Sequence, residues 1–225
     1  MLRTILLAPL IATLCACQTT VLEHLPQGTR SECPADVLGA WIAVEEDGQD
    51  TPDFGLLVHK DCTLESRDKD GSAHPAHAPL PHAQFFSSAG KDLVFIPMTD
   101  AFELAAVKPD DKANARAKTG FMVFAWRRYG NELALQAPDH RHVAHLIVDG
   151  AISGRTAWSD DDRIIWAENV LRGDETAIAQ LLAHTDLFGD TKSMRMRHVG
   201  DDEKALNRAL RAATSKAAKP ITDRK

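Results

Sequence analysis

The order of apolar and polar residues along the chain predicts a body built largely of short β-strands joined by tight turns. Residues 39–45 alternate between apolar and polar, residues 54–60 are strongly apolar, and turn-forming residues 47–50 separate them. Two further hairpins are predicted, one from residues 85–86 and 93–96, the other from residues 121–126 and 133–136. The Gly130–Asn131 pair between the last two strands suits a two-residue turn of type II′, in which Gly adopts positive φ.

Apolar residues at helical spacing, with capping residues before them, predict three helices. Asp139 precedes a short helix that ends at Gly150, and Asp174 precedes a second one. Residues 201–216 form an Ala- and Leu-rich segment with acids first and bases last, as the helix dipole favours. The apolar faces are Val143, Leu146 and Ile147 in the first helix, Ile178, Leu181 and Leu182 in the second, and Leu206, Ala209, Leu210 and Ala213 in the third.

These elements predict an α+β fold. Hairpin connections as short as these join antiparallel strands, because parallel pairing needs a long crossover. We therefore expect a curved antiparallel sheet or partly open β-barrel with two to three packed helices. Met194–Arg197 adds a strand, and residues 102–107 favour a strand over a helix.

The N-terminus has the features of an export signal. Arg3 precedes the apolar residues 5–12, a segment too short for a bilayer core, which needs about 20 residues. The following Leu14-Cys15-Ala16-Cys17 resembles the lipobox of bacterial lipoproteins. That resemblance implies cleavage before Cys17 and attachment of lipid to its sulfur; an ordinary secreted protein is the alternative.

This resemblance also predicts the organisation and location of the chain. Residues 1–16 would be a lipoprotein signal peptide, 17–32 a lipidated tether, 33–200 the α+β domain, and 201–225 a C-terminal helix and polar tail. Because residue 18 is Gln and not Asp, sorting to the outer membrane is favoured, with the protein facing the periplasm. The inner membrane stays open as the alternative.

Charge and cysteine content restrict the partners and the compartment. The net charge is −6, and it becomes −7 once residues 1–16 leave with one Arg and no acid, so 25 basic residues face 32 acidic ones. This argues against nucleic acid as a partner, since phosphate binding needs clustered cations. After cleavage only Cys33 and Cys62 keep free sulfurs, and in an exported chain they predict a disulfide.

Histidines are the candidate metal ligands. Three lie in a Pro- and Ala-rich loop and three around the first helix: His74, His77, His82, His140, His142 and His145. Imidazoles could hold zinc or copper, but no Cys or Glu completes a ligand set, so we expect loop and surface histidines and no cofactor. The Asp-rich segments lack the spacing of a calcium loop. No nucleophile elbow or phosphate-binding glycine loop is present, so catalysis has no support in the sequence.

Two further resemblances concern the body. Residues 121–199 resemble a group of exported bacterial proteins that share this order of strands and capped helices, and this likeness brings no activity with it. The Gly39-x-Trp41 pattern is similar to that of lipocalins.

The sequence thus predicts an envelope lipoprotein acting as a binding or scaffold module. Its partner would be another envelope protein or a small apolar molecule. The alternatives are a metal-binding protein of the periplasm that uses the histidines, and an inhibitor or immunity lipoprotein directed at a cell-wall hydrolase. An enzyme ranks last.

Overall fold

A computed structural model describes residues 18–45, 48–69, 71–74, 81–98, 119–158 and 167–217. It confirms the predicted α+β class: a large open sheet of twelve strands with three α-helices in the described part of the chain. The strands are β1 Gln18–Leu22, β2 Gly39–Val44, β3 Asp50–Val58, β4 Leu64–Arg67, β5 Ala73–His74, β6 Gln84–Ser88, β7 Lys91–Pro97, β8 Phe121–Tyr129, β9 Glu132–Gln136, β10 Gly154–Trp158, β11 Ala167–Leu171 and β12 Met194–Gly200. The helices are α1 His140–Val148, α2 Glu175–His184 and α3 Glu203–Ala217.

The three predicted hairpins are all present. They are β2–β3, β6–β7 and β8–β9, each paired antiparallel. In the last of them Tyr129 pairs with Glu132 across the two-residue turn, and Gly130 has φ +59°, as the type II′ turn requires at its first position.

Strand β8 holds two branches of the sheet together. Along residues 121–126 one edge of β8 pairs with β7. The opposite edge pairs with β1 at Phe121 and Met122, and with β9 from Ala125 to Tyr129. One branch therefore runs β8-β1-β11-β10, and the other runs β8-β9-β12-β2-β3-β4-β5.

The longer branch curves around an apolar inner core. Trp41, Phe85, Leu133 and Met196 are at most 3% exposed there, and the Trp41 indole donates a 2.8 Å hydrogen bond to the Val37 carbonyl. An isolated bridge between Thr63 and His82 brings β4 near the residues before β6. The sheet therefore remains open, in agreement with the predicted partly open barrel.

All three helices pack on the outer face of this sheet. Helices α1 and α2 cover one apolar cluster, which includes Leu22, Phe95 and Ile178. Helix α3 covers another through Leu206 and Leu210. Gly55 lies under α3, where a Cβ atom would come within 2.6 Å of the Leu206 side chain, so a larger residue would force that buried side chain to shift.

Residues 18–22 correct the prediction of a tether over residues 17–32. They form β1, in which Thr19, Thr20, Val21 and Leu22 are all buried. This strand also adds one parallel pairing to the described sheet, because β1 pairs parallel with β11 along all five residues. Its partners are about 100 to 150 residues away in the chain, so no local hairpin signal could indicate the pairing.

Several predictions fall outside the described residues, among them the signal peptide at residues 1–16, the lipid-attachment residue Cys17, residues 75–80 of the Pro-rich loop, the strand at residues 102–107 and the tail beyond residue 217.

Replacing Leu22 with Ala tests whether β1 belongs to the folded body. The side chain is fully buried in the cluster under α1 and α2, so we expect Leu22→Ala to lower the free energy of unfolding by about 2–5 kcal/mol in urea titrations. His24→Ala, at an exposed position two residues further, is the matched control and should change it by less than about 0.5 kcal/mol. If Leu22→Ala is as stable as His24→Ala, β1 does not contribute to the folded body, and the predicted tether over residues 17–32 stands.

Candidate functional site

A cleft of about 240 Å³ opens on the outer face of the sheet, beside the layer of α1 and α2. Ala125, Arg127 and Tyr129 alternate along β8 and lie on the same face, because Ala125 packs against the cluster under those helices. Ala134 and Gln136 of β9 pair with Arg127 and Ala125 and share that face. The rest of the lining consists of Gly90, Lys91, Asp92, Trp126, Asp186, Phe188, Gly189 and Ser193.

Small side chains keep the floor of the cleft open, and one glutamine holds its wall. Ala125 and Ala134 end at Cβ, which leaves room above the sheet. The Gln136 side-chain amide donates to the carbonyls of Phe188, Gly189 and Thr191 at 3.1–3.4 Å. The Thr191 hydroxyl donates to the Ala137 carbonyl at 2.9 Å. The loop before β12 is therefore fastened to the end of β9.

An ion pair crosses one side of the cleft. The Lys91 ammonium group donates to a carboxylate oxygen of Asp186 at 2.9 Å. This hydrogen bond from Lys91 holds the pKa of Asp186 below its usual value, with backbone amides of Phe188 and Gly189 adding to the effect and burial opposing it. The pair joins the β6–β7 turn to the loop after α2.

Arg127 lines the cleft and has no ion-pair partner in the described residues. Its guanidinium group lies 5.9 Å from the centre of the Tyr129 ring and donates a long 3.5 Å hydrogen bond to the phenol oxygen. In the described ranges no acidic side chain lies within ion-pair distance of it, whereas Arg195 and Arg197 on neighbouring β12 are paired with Glu132 and Asp50. Tyr129 is 59% exposed, which is unusual for a side chain of this size.

A second polar network lies under α1 and is largely buried. The Thr20 hydroxyl and His140 Nδ1 are hydrogen-bonded at 2.9 Å, and the Asn169 amide donates to the His140 carbonyl at 2.8 Å. The Thr156 hydroxyl in turn donates to the side-chain oxygen Oδ1 of Asn169 at 2.6 Å. Burial lowers the pKa of His140 to about 4, against a small opposing effect of Asp139. With Thr20 and Asn169 at most 2% exposed, this network joins α1 to β1 and β11 and offers no access to a substrate.

The candidate histidines do not come together in the described part of the chain. His140 is enclosed in the network under α1, while His142 and His145 are exposed on the same helix. His74 lies in β5 with its Nε2 3.6 Å from Asp68, and exposed His82 bridges Thr63. Within the described ranges no group of three or more His, Cys, Asp or Glu side chains could hold a metal ion. His77 and the lipid-attachment residue Cys17 lie outside those ranges.

Cys33 and Cys62 are brought side by side at the open end of the β2–β3 hairpin. Their Cα atoms are 5.1 Å apart, a separation typical of a disulfide. Cys62 is fully buried in the inner core.

The residues that form the cleft were missed by the sequence analysis. Arg127, Tyr129, Lys91 and Asp186 come from three segments, and each resembles an ordinary exposed residue of a strand end or turn. Only the prediction of the β8–β9 hairpin placed Arg127 and Tyr129 near a turn, and nothing in the sequence indicated their neighbours.

Comparison with known proteins adds no relationship: no family model, no curated protein and no solved structure matches this chain. Over the described residues no helix has the length and apolar character needed to cross a bilayer.

The enclosed His140 predicts a loss of stability in acid. Its pKa is about 4 in the fold and 6.5 in the unfolded chain, so between these values the unfolded state binds more protons. The free energy of unfolding should reach its full value above pH 6.5 and decrease towards pH 4. His140 alone accounts for at most about 1.4 kcal/mol of this decrease per pH unit. Urea titrations across this range measure the slope.

His140→Gln should flatten that slope, although it weakens the network at neutral pH. His142→Gln, which removes an exposed imidazole from the same helix, should keep the slope of the parent. An unchanged slope in His140→Gln would contradict the assignment.

The cysteine pair predicts a redox-dependent stability. Alkylation of the exported protein without reductant should leave Cys33 and Cys62 unlabelled. Reduction should lower the free energy of unfolding by about 3–4 kcal/mol, the loop-closure entropy of a bond between residues 29 apart in sequence. The Cys33→Ala, Cys62→Ala double variant serves as control, since reductant should leave its stability unchanged. Full labelling of both thiols in the parent would contradict the disulfide.

Proposed function

We propose that this protein is a bacterial envelope lipoprotein, anchored through lipid on Cys17, whose folded body is a binding module with its ligand site in the outer-face cleft. The proposed lipid anchor is supported by the lipobox-like segment Leu14-Cys15-Ala16-Cys17, which comes directly before β1 in the sequence. Every described strand and helix lies after Cys17, so cleavage before that residue would remove none of them.

The position of β1 defines how such an anchor would hold the body. Consecutive Cα atoms are about 3.8 Å apart, and Gln18 is the exposed first residue of a strand that is buried from Thr19 onwards. The acyl chains would therefore leave the protein one residue from the sheet. In this proposal the body lies against the bilayer, and no tether over residues 17–32 separates them.

A binding role is supported by the way the cleft is built. Its floor belongs to two paired strands, and its wall is fixed by the Gln136 amide and by the Lys91–Asp186 ion pair. Such a site needs little ordering when a ligand enters, and that reduces the entropic cost of binding. Outer-membrane placement, facing the periplasm, is part of the proposal.

Metabolic labelling with radioactive palmitate tests the anchor. The parent chain should take label and fractionate with the outer membrane, because the Cys17 sulfur carries the acyl chains. Cys17→Ala should take none and keep its signal peptide, which a mass measurement of the intact chain detects.

Cys15→Ala is the matched control, since this cysteine lies two residues earlier and would leave with the signal. It should be processed and labelled like the parent. Label on the Cys17→Ala chain would contradict the anchor, as would an unlabelled parent that retains residues 1–16.

A further inference from the structure

We infer that the outer-face cleft binds a small molecule bearing a carboxylate or phosphate group, with Arg127 as the residue that holds the anion. This inference names the ligand class of the binding site proposed above and rests on that proposed role.

The first step is the charge within the cleft. Lys91 and Asp186 neutralise each other at 2.9 Å. Asp92 also lines the cleft, and its carboxylate accepts a hydrogen bond from the Ser87 hydroxyl at 2.6 Å. Arg127 therefore remains as the cation of the cleft that has no ion-pair partner among the described residues, in a protein whose net charge is −6. Among the outer-face arginines of β8 and β12, it is the one with no acidic partner in the described residues.

The second step is the donor set around this charge. A guanidinium group presents parallel N–H donors that match the two oxygens of a carboxylate or phosphate. The Tyr129 hydroxyl lies 3.5 Å from one guanidinium nitrogen, and the exposed Ser193 hydroxyl lines the same cleft. These groups can donate to an anion that sits over the alanine floor.

The third step is size and shape. The volume of about 240 Å³ lies below the roughly 300–1,000 Å³ usual for drug-sized ligands, so the occupant is small. The Tyr129 ring and Phe188 offer apolar surface beside the donors. A compact molecule with one oxyanion and one flat apolar part fits this combination.

Ligand-observed NMR and titration with three probes test the inference on the full chain purified from membranes in detergent. Benzoate supplies a carboxylate, phenyl phosphate a phosphate, and benzamide is the neutral analogue of benzoate. At least one anionic probe should bind at least tenfold more tightly than benzamide, and the tighter of the two identifies the preferred oxyanion. Added salt should weaken that binding, because the interaction is between charges.

Substitutions then locate the binding. Arg127→Gln should raise the Kd of the anionic probe at least tenfold. Arg195→Gln, on the same face but paired with Glu132 in the parent, should change it less than twofold. Ala134→Leu fills the floor of the cleft and should also abolish binding. Urea midpoints verify that each variant is folded.

Three results would overturn the inference: neither anion binds at millimolar concentration, benzamide binds as well as benzoate, or Arg127→Gln binds like the parent. None of these would alter palmitate labelling at Cys17. Conversely, a chain that binds phenyl phosphate through Arg127 but takes no palmitate would refute the anchor and leave the ligand class standing.

Discussion

The pairing of β8 with two different strands along one edge is the constraint on which the rest of this structure depends. Phe121 and Met122 pair with β1, and the residues from Ala125 onwards pair with β9. The shared strand forces the two branches apart after Met122, so each branch presents its own outer surface. Helices α1 and α2 cover the first surface, and α3 covers the second through Leu206 and Leu210. The cleft lies beside the first layer, over the part of β8 that pairs with β9.

The arrangement of the two branches explains why one surface strip stays polar and open. Arg127 of β8 and Arg195 and Arg197 of β12 lie on the outer face, between the regions that the helices cover. Glu132 and Asp50 neutralise the two arginines of β12. The Arg195–Glu132 pair is exposed, and pairs of that kind contribute little to stability, whereas the Arg197–Asp50 pair is half-buried.

The local parts of the fold could be predicted from the sequence, and the long-range pairings could not. Alternation and turn residues identified the three hairpins, and Asp139 and Asp174 identified the starts of two helices, where each accepts a hydrogen bond from the backbone three residues on. Strand β1 was missed because Gln18-Thr19-Thr20-Val21-Leu22 is short and begins with polar residues. The cleft was missed because its residues are distant in sequence and meet only after the two branches form. The alanines of its floor also have no distinctive sequence pattern.

The polar residues that concealed β1 also specify its position. Thr20, Asn169 and Thr156 stand opposite one another across three strands, and the first two also contact His140 of α1. A shift of β1 by one residue would turn Thr20 to the other face and leave the buried Asn169 amide and the histidine without this hydroxyl, at a cost of about 1–3 kcal/mol for each unsatisfied group. An apolar strand would have been easier to recognise and easier to misalign. Gln18, which follows the proposed lipid-bearing Cys17, pairs with Ala167 in the same β1–β11 ladder. The position of an anchor at Cys17 would therefore be determined by the hydrogen bonds of the body and not by a flexible linker.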